Sequence, residues 1–348
     1  MKPCHESRMM KALRREPVDC TPIWMMRQAG RYMQEYRAVR EQTTFLGLCR
    51  DPELCAEVML TAVEKLGVDA AIIFSDLLPI LQEMGLDLEF QKGEGPVIHN
   101  AVHDETLIEN LRPLEDVQAL GYVYETVRKT RAGLDENLPL IGFAGAPFTL
   151  ASYAIEGKAS RNYLFVKKMM YTQPQAWDQI MTRLSDAVAA YLNAQIDAGA
   201  DIVQLFDSWV GCLSPSDYVQ YVQPYSASVI SRVKAHSPET PVIHFTTGNP
   251  MLLPAVTAAG GDCIGADWRI EPLDAWRMIG PDRAFQGNLD PAILLASPSE
   301  IRTRVRLLLD QLGGRPGHIF NLGHGVHQQT PVENAVELVK IVHELTQH

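Results

Sequence analysis

The stretch Thr21-Pro22-Ile23-Trp24-Met25-Met26 is a short apolar run that predicts a buried strand, and two arginines follow it directly. Arg27 and Arg31 stand four residues apart, where the predicted strand gives way to a loop. In many α/β folds, ligands bind at the carboxyl ends of the strands. Two guanidiniums at such a point favour a site for carboxylate or phosphate groups, and a solvated arginine face is the alternative.

Short apolar runs bounded by turn residues recur along the 348-residue chain, with helical periodicity between them. The predicted strands are Thr21–Met26, Ala70–Phe74, Leu138–Gly145, Asp201–Phe206, Pro241–Thr246, Asp262–Trp268, Ala284–Leu289 and His318–Leu322. The runs are continuous rather than alternating, as expected for strands buried on both faces. Eight strands, without a G-x-G-x-x-G after the first, favour a (β/α)8 TIM barrel over an open doubly wound sheet. We expect a single domain over residues 1–348, with the active site at the C-terminal ends of the strands.

Several helices have clear start and stop signals. Asp51-Pro52 places an N-cap and a first-turn proline before an apolar stripe that ends at Gly67. A longer helix follows Pro174 and ends near Gly199. Two more are predicted to open at Ser297-Pro298 and Thr330-Pro331. These helices separate the strands, as the barrel requires.

An insertion after the second predicted strand interrupts the alternation. The runs Leu86–Phe90 and Pro96–His99 flank Lys92-Gly93-Glu94-Gly95, which is the pattern of strand, turn and strand. We expect a hairpin there, beside the mouth of the barrel.

Composition is that of an ordinary globular protein, with 46% hydrophobic and 21% charged residues. The net charge of -11, without a basic stripe, argues against a nucleic-acid partner. Neither a signal-peptide pattern nor a membrane-spanning run of apolar residues occurs. Six scattered cysteines without a C-x-x-C pair predict reduced thiols and a cytoplasmic location.

Polar residues follow the predicted strands, and in a barrel they would converge on one rim. They are Arg27, Arg31, Ser75, Asp76, Tyr153, Asp207, Ser208, Thr246, Thr247, Asp267, Asn288, Asp290 and His324. Each has a structural alternative: for example, Ser75 or Asp76 could cap a helix over Leu77–Met84. Arg27, Arg31, Arg37 and Arg40 also form a local cationic cluster that Glu35 and Glu41 could partly neutralise. The joint placement favours a binding site.

Other chemistries have weaker support from the sequence. His244 lacks a soft partner on its strand, and Cys263 stands at the wrong end of the next one, so no metal site is expected. A nucleophile set could be assembled from Ser208, His324 and Asp76, but no nucleophile elbow surrounds the serine.

The chain resembles the uroporphyrinogen decarboxylase family over nearly its whole length. The matching motifs are residues 24–32, residues 142–150, Phe74-Ser75-Asp76, Phe206-Asp207-Ser208 and Asn321-Leu322-Gly323-His324-Gly325. The chain departs from the family pattern at Gln34, in place of a proline. It also departs at His327-Gln328-Gln329, in place of a leucine-proline stretch.

The resemblance implies decarboxylation of the four acetate arms of uroporphyrinogen III to methyls, giving coproporphyrinogen III, without metal or organic cofactor, by a homodimer. It implies that Asp76 accepts the pyrrole N–H groups and stabilises the protonated ring. Substrate carboxylates would be bound by the Arg27 to Arg31 loop with Gln28, Ala29 and Gly30, and by Tyr153, Ser208 and His324. Arg27 and Arg31 would share in catalysis. Because arginine is a poor acid, water or a substrate carboxyl stays open as the proton donor.

Two rival functions share some of these features. A cobalamin-dependent methyltransferase of the same superfamily would have the barrel, but it needs a zinc site, and the His-x-Cys it would use is absent from the fifth strand. A tetrapyrrole-binding protein without catalysis would use the same arginines without the role of Asp76.

Overall fold

The structure is a computed structural model that describes residues 3–91 and 95–347. Its strands are β1 (Ala71–Ile72), β2 (Leu88–Gln91), β3 (Gly95–Ile98), β4 (Leu140–Gly145), β5 (Ile202–Asp207), β6 (Val242–Thr246), β7 (Cys263–Gly265), β8 (Ala284–Gln286) and β9 (His318–Ile319). Seven of them form a parallel sheet in the order β1-β4-β5-β6-β7-β8-β9, and β2 pairs with β3 in an antiparallel hairpin. The chain is therefore an α/β protein with a curled parallel sheet.

Helices connect the parallel strands. They are α1 (Arg8–Leu13), α2 (Gln34–Gln42), α3 (Phe45–Cys49), α4 (Pro52–Leu66), α5 (Pro79–Glu83), α6 (Gly121–Gly133), α7 (Pro147–Glu156), α8 (Leu164–Thr172), α9 (Pro174–Ala198), α10 (Pro215–Tyr221), α11 (Gln223–His236), α12 (Leu253–Ala259), α13 (Pro272–Ile279), α14 (Pro298–Leu312) and α15 (Val332–Thr346). Short 3-10 helices lie at Pro3–Glu6, Glu105–Asn110, Val117–Leu120, Val210–Cys212, Pro250–Leu252 and Pro291–Leu295. In the part of the chain that the structure describes, no helix has both the length and the apolar character needed to cross a membrane.

The predicted helix signals are confirmed. Asp51 Oδ1 accepts the Leu54 N–H at 3.0 Å, and Gly67 ends α4 with a φ of 70°. α9 begins at Pro174 and is followed by Gly199, and Ser297 caps α14 through the Glu300 N–H. α15 begins one residue after Thr330-Pro331. The hairpin after the second predicted strand is confirmed as β2 and β3, with residues 92–94 outside the described residues.

The first predicted strand, Thr21–Met26, is wrong as a regular strand. Ile23 alone makes a parallel bridge, to Phe320. Side chains take the N–H groups that a ladder would use: Asp69 Oδ2 accepts from Ile23 at 2.8 Å, and Asn321 Oδ1 accepts from Met26 at 3.3 Å. Backbone bonds still flank the segment, since Phe320 N–H donates to Pro22 O and Asp69 N–H to Ile23 O, both at 2.8 Å.

Three of the later predicted strands are shorter than expected at their carboxyl ends. β7 stops at Gly265, β8 at Gln286 and β9 at Ile319. Gly287 follows β8 with a φ of 133°, and a Cβ there would lie 2.8 Å from Ala266 O, so the regular ladder is interrupted at that point and resumes only as an isolated bridge between Leu289 and Leu322. Asp267 and Asn288 therefore stand on loops above the sheet.

At the amino ends of the strands, the same clamp occurs three times. In each clamp, an aspartate and a residue earlier in the chain form two hydrogen bonds. The aspartate N–H donates to the carbonyl of the earlier residue at 2.8 Å, and the N–H of the earlier residue donates to the aspartate Oδ2 at 2.8 to 3.0 Å. The pairs are Asp69 with Ile23, Asp201 with Leu140 and Asp262 with Val242. Each aspartate stands in a Gly-x-Asp sequence, and each partner follows a proline.

A cation from a helix completes each clamp. Arg8 contacts Asp69 at 3.0 Å, and the His343 ring lies 2.7 Å from the same carboxylate. Arg131 and Lys234, both 3.1 Å from their carboxylates, do so for Asp201 and Asp262. The clamps fix the base of the sheet, and with it the position of the loops at the opposite end.

Candidate active site

The loops after Ile23 and after β9 meet at the carboxyl end of the sheet. Val326 N–H donates to Met26 O at 2.9 Å, which holds the two loops together. Arg27 adopts a φ of 60°, a left-handed conformation that is uncommon for a residue with a side chain. Its side chain crosses Gly325, where a Cβ would lie 2.7 Å from Arg27 Cγ. The glycine therefore leaves room for the Arg27 side chain beside His324.

Asp76 follows β1, and its surroundings act on its pKa in both directions. It keeps part of its surface open to the mouth while protein surrounds it otherwise. Burial raises the pKa of Asp76, whereas the N–H groups of Leu78 and Leu77 and the charge of Arg27 oppose that rise. Its Oδ1 accepts the Leu78 N–H at 3.0 Å. This bond lies in the turn ahead of α5, whose N-cap residue, Leu78, has no side-chain cap bond, so the alternative that Asp76 caps the helix is wrong. Asp76 instead lies within electrostatic reach of Arg27.

Tyr153 lies on α7 within electrostatic reach of the same groups. Burial raises the pKa of Tyr153 to about 12, and the nearby charge of Asp76 adds to the rise. Its ring packs edge-on against Trp209, with centroids 5.6 Å apart. The hydroxyl is therefore a neutral hydrogen-bond donor held beside Asp76.

His324 lies across the mouth, on the loop after β9. Burial lowers the pKa of His324 to about 4, and the charges of Arg27 and His327 lower it further. The ring is thus neutral near pH 7 and can donate one N–H to a carboxylate. Arg27 influences the pKa of Asp76, Tyr153 and His324 alike, which places these four predicted residues in one site.

The cationic cluster predicted after the first strand divides into two pairs. Arg37 donates to the carbonyls of Arg31 and Tyr32 at 2.9 and 2.8 Å, and Arg40 donates to the Thr43 carbonyl. Arg37 and Arg40 therefore hold the backbone on either side of α2. Arg27 and Arg31 are exposed, and their side chains make no hydrogen bond or ion pair with the residues that the structure describes.

The acidic neighbours do not neutralise the second pair. Glu35 binds Lys65 at 2.5 Å. Arg27 and Arg31 instead line a cleft of about 300 Å³ with Gly30, Val326 and residues 327–329. Two guanidiniums are thus available to an anionic ligand.

The other residues of the first motif contribute differently. Gln28 is fully buried; its Nε2 donates to Ala70 O, and its Oε1 accepts from Met25 N–H, both at 3.2 Å. Ala29 is buried and Gly30 reaches the cleft. The Gln28 side chain therefore fastens the loop that presents Arg27 and Arg31.

Ser208 stands beyond β5 with its backbone fixed by two threonines. Its N–H donates to Thr149 Oγ1 at 2.9 Å, and its carbonyl accepts from Thr247 Oγ1 at 3.0 Å. The side chain is half-buried, and its Oγ has no hydrogen bond to the described residues. That hydroxyl is available to a ligand.

An apolar floor beneath the mouth was missed in the sequence. Phe143, Phe206 and Phe245 stack edge to face, with centroids 5.5 and 5.8 Å apart, and Phe206 keeps exposed surface. Phe206 and Phe245 pair in register on β5 and β6, whereas Phe143 on β4 pairs with Gln204, two residues before Phe206. A phenylalanine one or two residues before the end of each of these strands is the signal that could have identified them. The floor suits a large apolar ring.

Asp207 does not join the mouth. It faces Tyr218 Oη at 3.3 Å and His244 Nε2 at 3.5 Å, behind the strand. In residues 3–91 and 95–347, no three histidine, cysteine, aspartate or glutamate side chains are grouped so that they could hold a metal ion.

Comparisons with known proteins give a consistent assignment. The sequence model of the uroporphyrinogen decarboxylase family matches residues 5–345. A uroporphyrinogen decarboxylase from Roseiflexus sp. (strain RS-1) is 50% identical over 341 residues, covering 97% of this chain and 98% of the relative. Another from Sorangium cellulosum (strain So ce56) is 51% identical over 339 residues, covering 97% and 96%. A solved methyltransferase from Methanosarcina mazei has a TM-score of 0.78 at 19% identity, over 99% of both chains, and so shares the fold.

Proposed function

The chain belongs to the uroporphyrinogen decarboxylase family, and from this membership and the site geometry we propose that it removes the acetate carboxyls of uroporphyrinogen III. The reaction converts the four acetate arms to methyls, releases four CO2 and yields coproporphyrinogen III in haem biosynthesis. The enzyme is a carboxy-lyase. The observation that carries the proposal is a partly buried carboxylate, Asp76, within electrostatic reach of Arg27 at the mouth of the sheet.

Asp76 suits the centre of a porphyrinogen. The macrocycle points several pyrrole N–H groups inward, and one carboxylate can accept them as charge-assisted hydrogen bonds. In the free protein, burial raises the pKa of Asp76. Substrate N–H donors favour the ionised form, so substrate binding opposes the effect of burial and lowers the pKa of Asp76.

The chemical step places positive charge where Asp76 is. A proton adds to a pyrrole α-carbon and makes the ring cationic. The bond between the acetate methylene and its carboxylate then breaks, CO2 leaves, and the electron pair enters the ring as an exocyclic double bond. A proton adds to the methylene carbon and the α-carbon loses its own, so that each acetate takes up one proton overall and becomes a methyl. A fixed carboxylate beside the cationic ring lowers the barrier to this step.

The remaining site residues bind the substrate arms. Arg27 and Arg31 pair with carboxylates, and Arg27 also supports the ionised state of Asp76. Tyr153 and Ser208 donate hydroxyls, and the neutral imidazole of His324 donates from the opposite rim. Gln28, Ala29 and Gly30 act through their loop, with Gly30 at the cleft. The phenylalanine floor supports the hydrocarbon face of the ring.

The test is an anaerobic assay of the purified protein with uroporphyrinogen III in the presence of a chelator. We expect CO2 release and sequential products with seven, six, five and four carboxyls. A folded preparation that binds uroporphyrinogen without releasing CO2 would support the non-catalytic binding protein instead.

We propose also that the sheet closes into an eight-stranded (β/α)8 barrel, with residues 1–348 as one domain. The support is the clamp at Ile23, which repeats those at Leu140 and Val242, so that Pro22-Ile23 occupies the place of a first strand. Buried side chains from both ends of the chain form one contiguous core. A single calorimetric unfolding transition would agree with one domain.

A homodimer and a cytoplasmic location complete the proposal. Apolar side chains on α8 and at Met251 are exposed, with Leu164 at 68% and Met251 at 61%. Cys20, Cys49, Cys55, Cys212 and Cys263 are free thiols, which suits a reducing compartment. Light scattering of the purified protein would give the mass of the assembly.

A further inference from the structure

The cleft beside Arg27 has a second wall that the proposed chemistry does not use. Arg27, Gly30 and Arg31 form one wall, and residues 327–329 form the other. His327, Gln328 and Gln329 are all exposed. These three residues stand where the chain departs from its family pattern.

The second wall is pinned at both ends. Val326, before it, donates its N–H to Met26 O at 2.9 Å, and Thr330, after it, donates its N–H to His327 O at 3.1 Å. Both flanking residues are buried, with 5% and 3% of their surface exposed. The three exposed side chains are therefore held by a fixed backbone against the arginines.

The chemistry of the cleft suits a carboxylate. Its walls carry two guanidiniums, one imidazole and two side-chain amides, and no acidic residue lines it among the described residues. Amide and imidazole N–H groups can each donate to a carboxylate that a guanidinium binds. A volume of about 300 Å³ is at the small end for ligand sites, so the cleft takes an arm of the macrocycle rather than the ring.

Arg27 connects this cleft to the catalytic centre. Its charge influences the pKa of Asp76, whereas Arg31 has no such effect there. A ligand centred on Asp76 can therefore extend one arm past Arg27 toward Arg31. Acetates must come in turn to the reacting position, and the longer propionates remain on the ring throughout.

We propose that His327, Gln328 and Gln329, with Arg31, form a subsite that binds one propionate arm of the substrate, and that they determine affinity rather than the chemical step. The proposal rests on the proposed function for the identity of the macrocycle. In this proposal, the three residues that depart from the family pattern contact the ligand directly.

The test separates binding from turnover. Anaerobic titration with coproporphyrinogen III, which has four propionates and no acetates, gives a Kd through quenching of tryptophan fluorescence, and steady-state assays with uroporphyrinogen III give kcat and KM. For Gln328→Ala/Gln329→Ala we expect Kd and KM to rise about tenfold, the loss of roughly one charge-assisted hydrogen bond, with kcat within about twofold. His327→Ala should behave likewise, and His327→Gln, which keeps a donor, should restore the affinity. Gln220→Ala, exposed on α10 outside the cleft, is the matched control and should change nothing.

Each other outcome has a defined meaning. A Kd and a KM that are both unchanged in folded variants overturn the subsite. A KM that rises for uroporphyrinogen while the Kd for coproporphyrinogen stays constant overturns the propionate assignment, because the arm would then be an acetate. A fall in kcat alone overturns the binding role, since the segment would then act through the position of Arg27. If the wild-type protein releases no CO2, the decarboxylase function fails, and the coproporphyrinogen titration still decides whether the subsite exists.

Discussion

The two ends of the parallel sheet differ in how their charged groups are satisfied. At the base, Asp69, Asp201 and Asp262 each accept a backbone N–H and pair with a cation. At the mouth, Asp76 has a raised pKa and Arg27 has a left-handed backbone. The carboxyl ends of barrel strands commonly hold function and the amino ends stability, and here the division is visible in the hydrogen bonds.

The difference indicates where free energy is stored. A satisfied buried carboxylate stabilises the fold, whereas a carboxylate whose pKa is raised by burial costs stability until a ligand supplies donors. The mouth is thus prepared for a ligand at the expense of the free protein. Substitutions at the two ends should therefore separate stability from activity.

The largest effect is expected at the base. Asp201→Ala would leave the buried Leu140 N–H and the partly buried Arg131 without their carboxylate, since the Asp201 side chain is only 1% exposed. We expect a loss of about 3–5 kcal/mol in the free energy of unfolding, measured by urea denaturation, with kcat per folded enzyme unchanged. Asp262→Ala is the matched control, and because its side chain is 35% exposed it should cost about 1–2 kcal/mol. Equal costs at the two positions would mean that burial does not set the strength of the clamp.

Asp76→Asn should have the opposite profile. We expect kcat to fall about 10²–10³-fold, about 2.7–4 kcal/mol in the barrier, while coproporphyrinogen binding weakens far less. Asparagine keeps an acceptor for the Leu78 N–H, so the local turn should persist. A comparable loss of turnover and binding would mean that Asp76 only positions the substrate.

The same variant should be more stable than the wild-type protein. An acid whose folded pKa is raised above its ordinary 3.8 costs stability once the pH exceeds that value, and the neutral amide removes this cost. We expect a gain of about 0.5–2 kcal/mol at pH 8 and none near pH 3, where both side chains are neutral. Thermal unfolding of the two proteins at both pH values measures the difference. A less stable Asp76→Asn protein at pH 8 would contradict the idea that the mouth stores free energy.

Gly325→Ala tests the packing of the mouth. The new Cβ would lie 2.7 Å from Arg27 Cγ and 3.0 Å from its Nε, so the arginine must move. We expect KM to rise about tenfold and stability to fall by about 1–3 kcal/mol. Gly121→Ala, at the start of α6 with open space around its Cβ, should be neutral or slightly stabilising. Retention of the wild-type KM in Gly325→Ala would show that the place of Arg27 beside His324 does not matter for binding.

The sequence predicted most of the mouth and little of the base. Local signals were enough where one residue decides the outcome, as with Asp51 before α4 and Gly67 after it. The strand-end rule brought Arg27, Asp76, Tyr153 and His324 into one site, because parallel strands share a direction. The strand-end rule did not predict that the three Gly-x-Asp sequences form the same clamp, because the backbone partners of the aspartates lie 46, 61 and 20 residues away. Contacts at such separations are set by the packing of the whole fold. No pattern in the local sequence shows that the N–H groups of a segment are bonded to side chains, as at Ile23.

Two histidines with equally low pKa values give the smallest and most direct test of the comparison. Burial lowers the pKa of both His318, at the base, and His324, at the mouth, to about 4. Since both folded values lie below the ordinary 6.5, the neutral rings contribute fully above pH 6.5, and the fold loses stability as the pH falls toward 4. Near His324 the charges of Arg27 and His327 add to the lowering, whereas His318 Nε2 contacts the Gly287 carbonyl at 2.8 Å.

A bound carboxylate should therefore raise the pKa of His324 by about one unit, or 1.36 kcal/mol, and leave that of His318 unchanged. NMR titration of the imidazole signals, assigned with His318→Gln and His324→Gln, with and without coproporphyrinogen III, measures both. Parallel shifts at the two rings would mean that ligand binding changes the whole fold, and the base could then no longer be treated as a rigid support for the mouth.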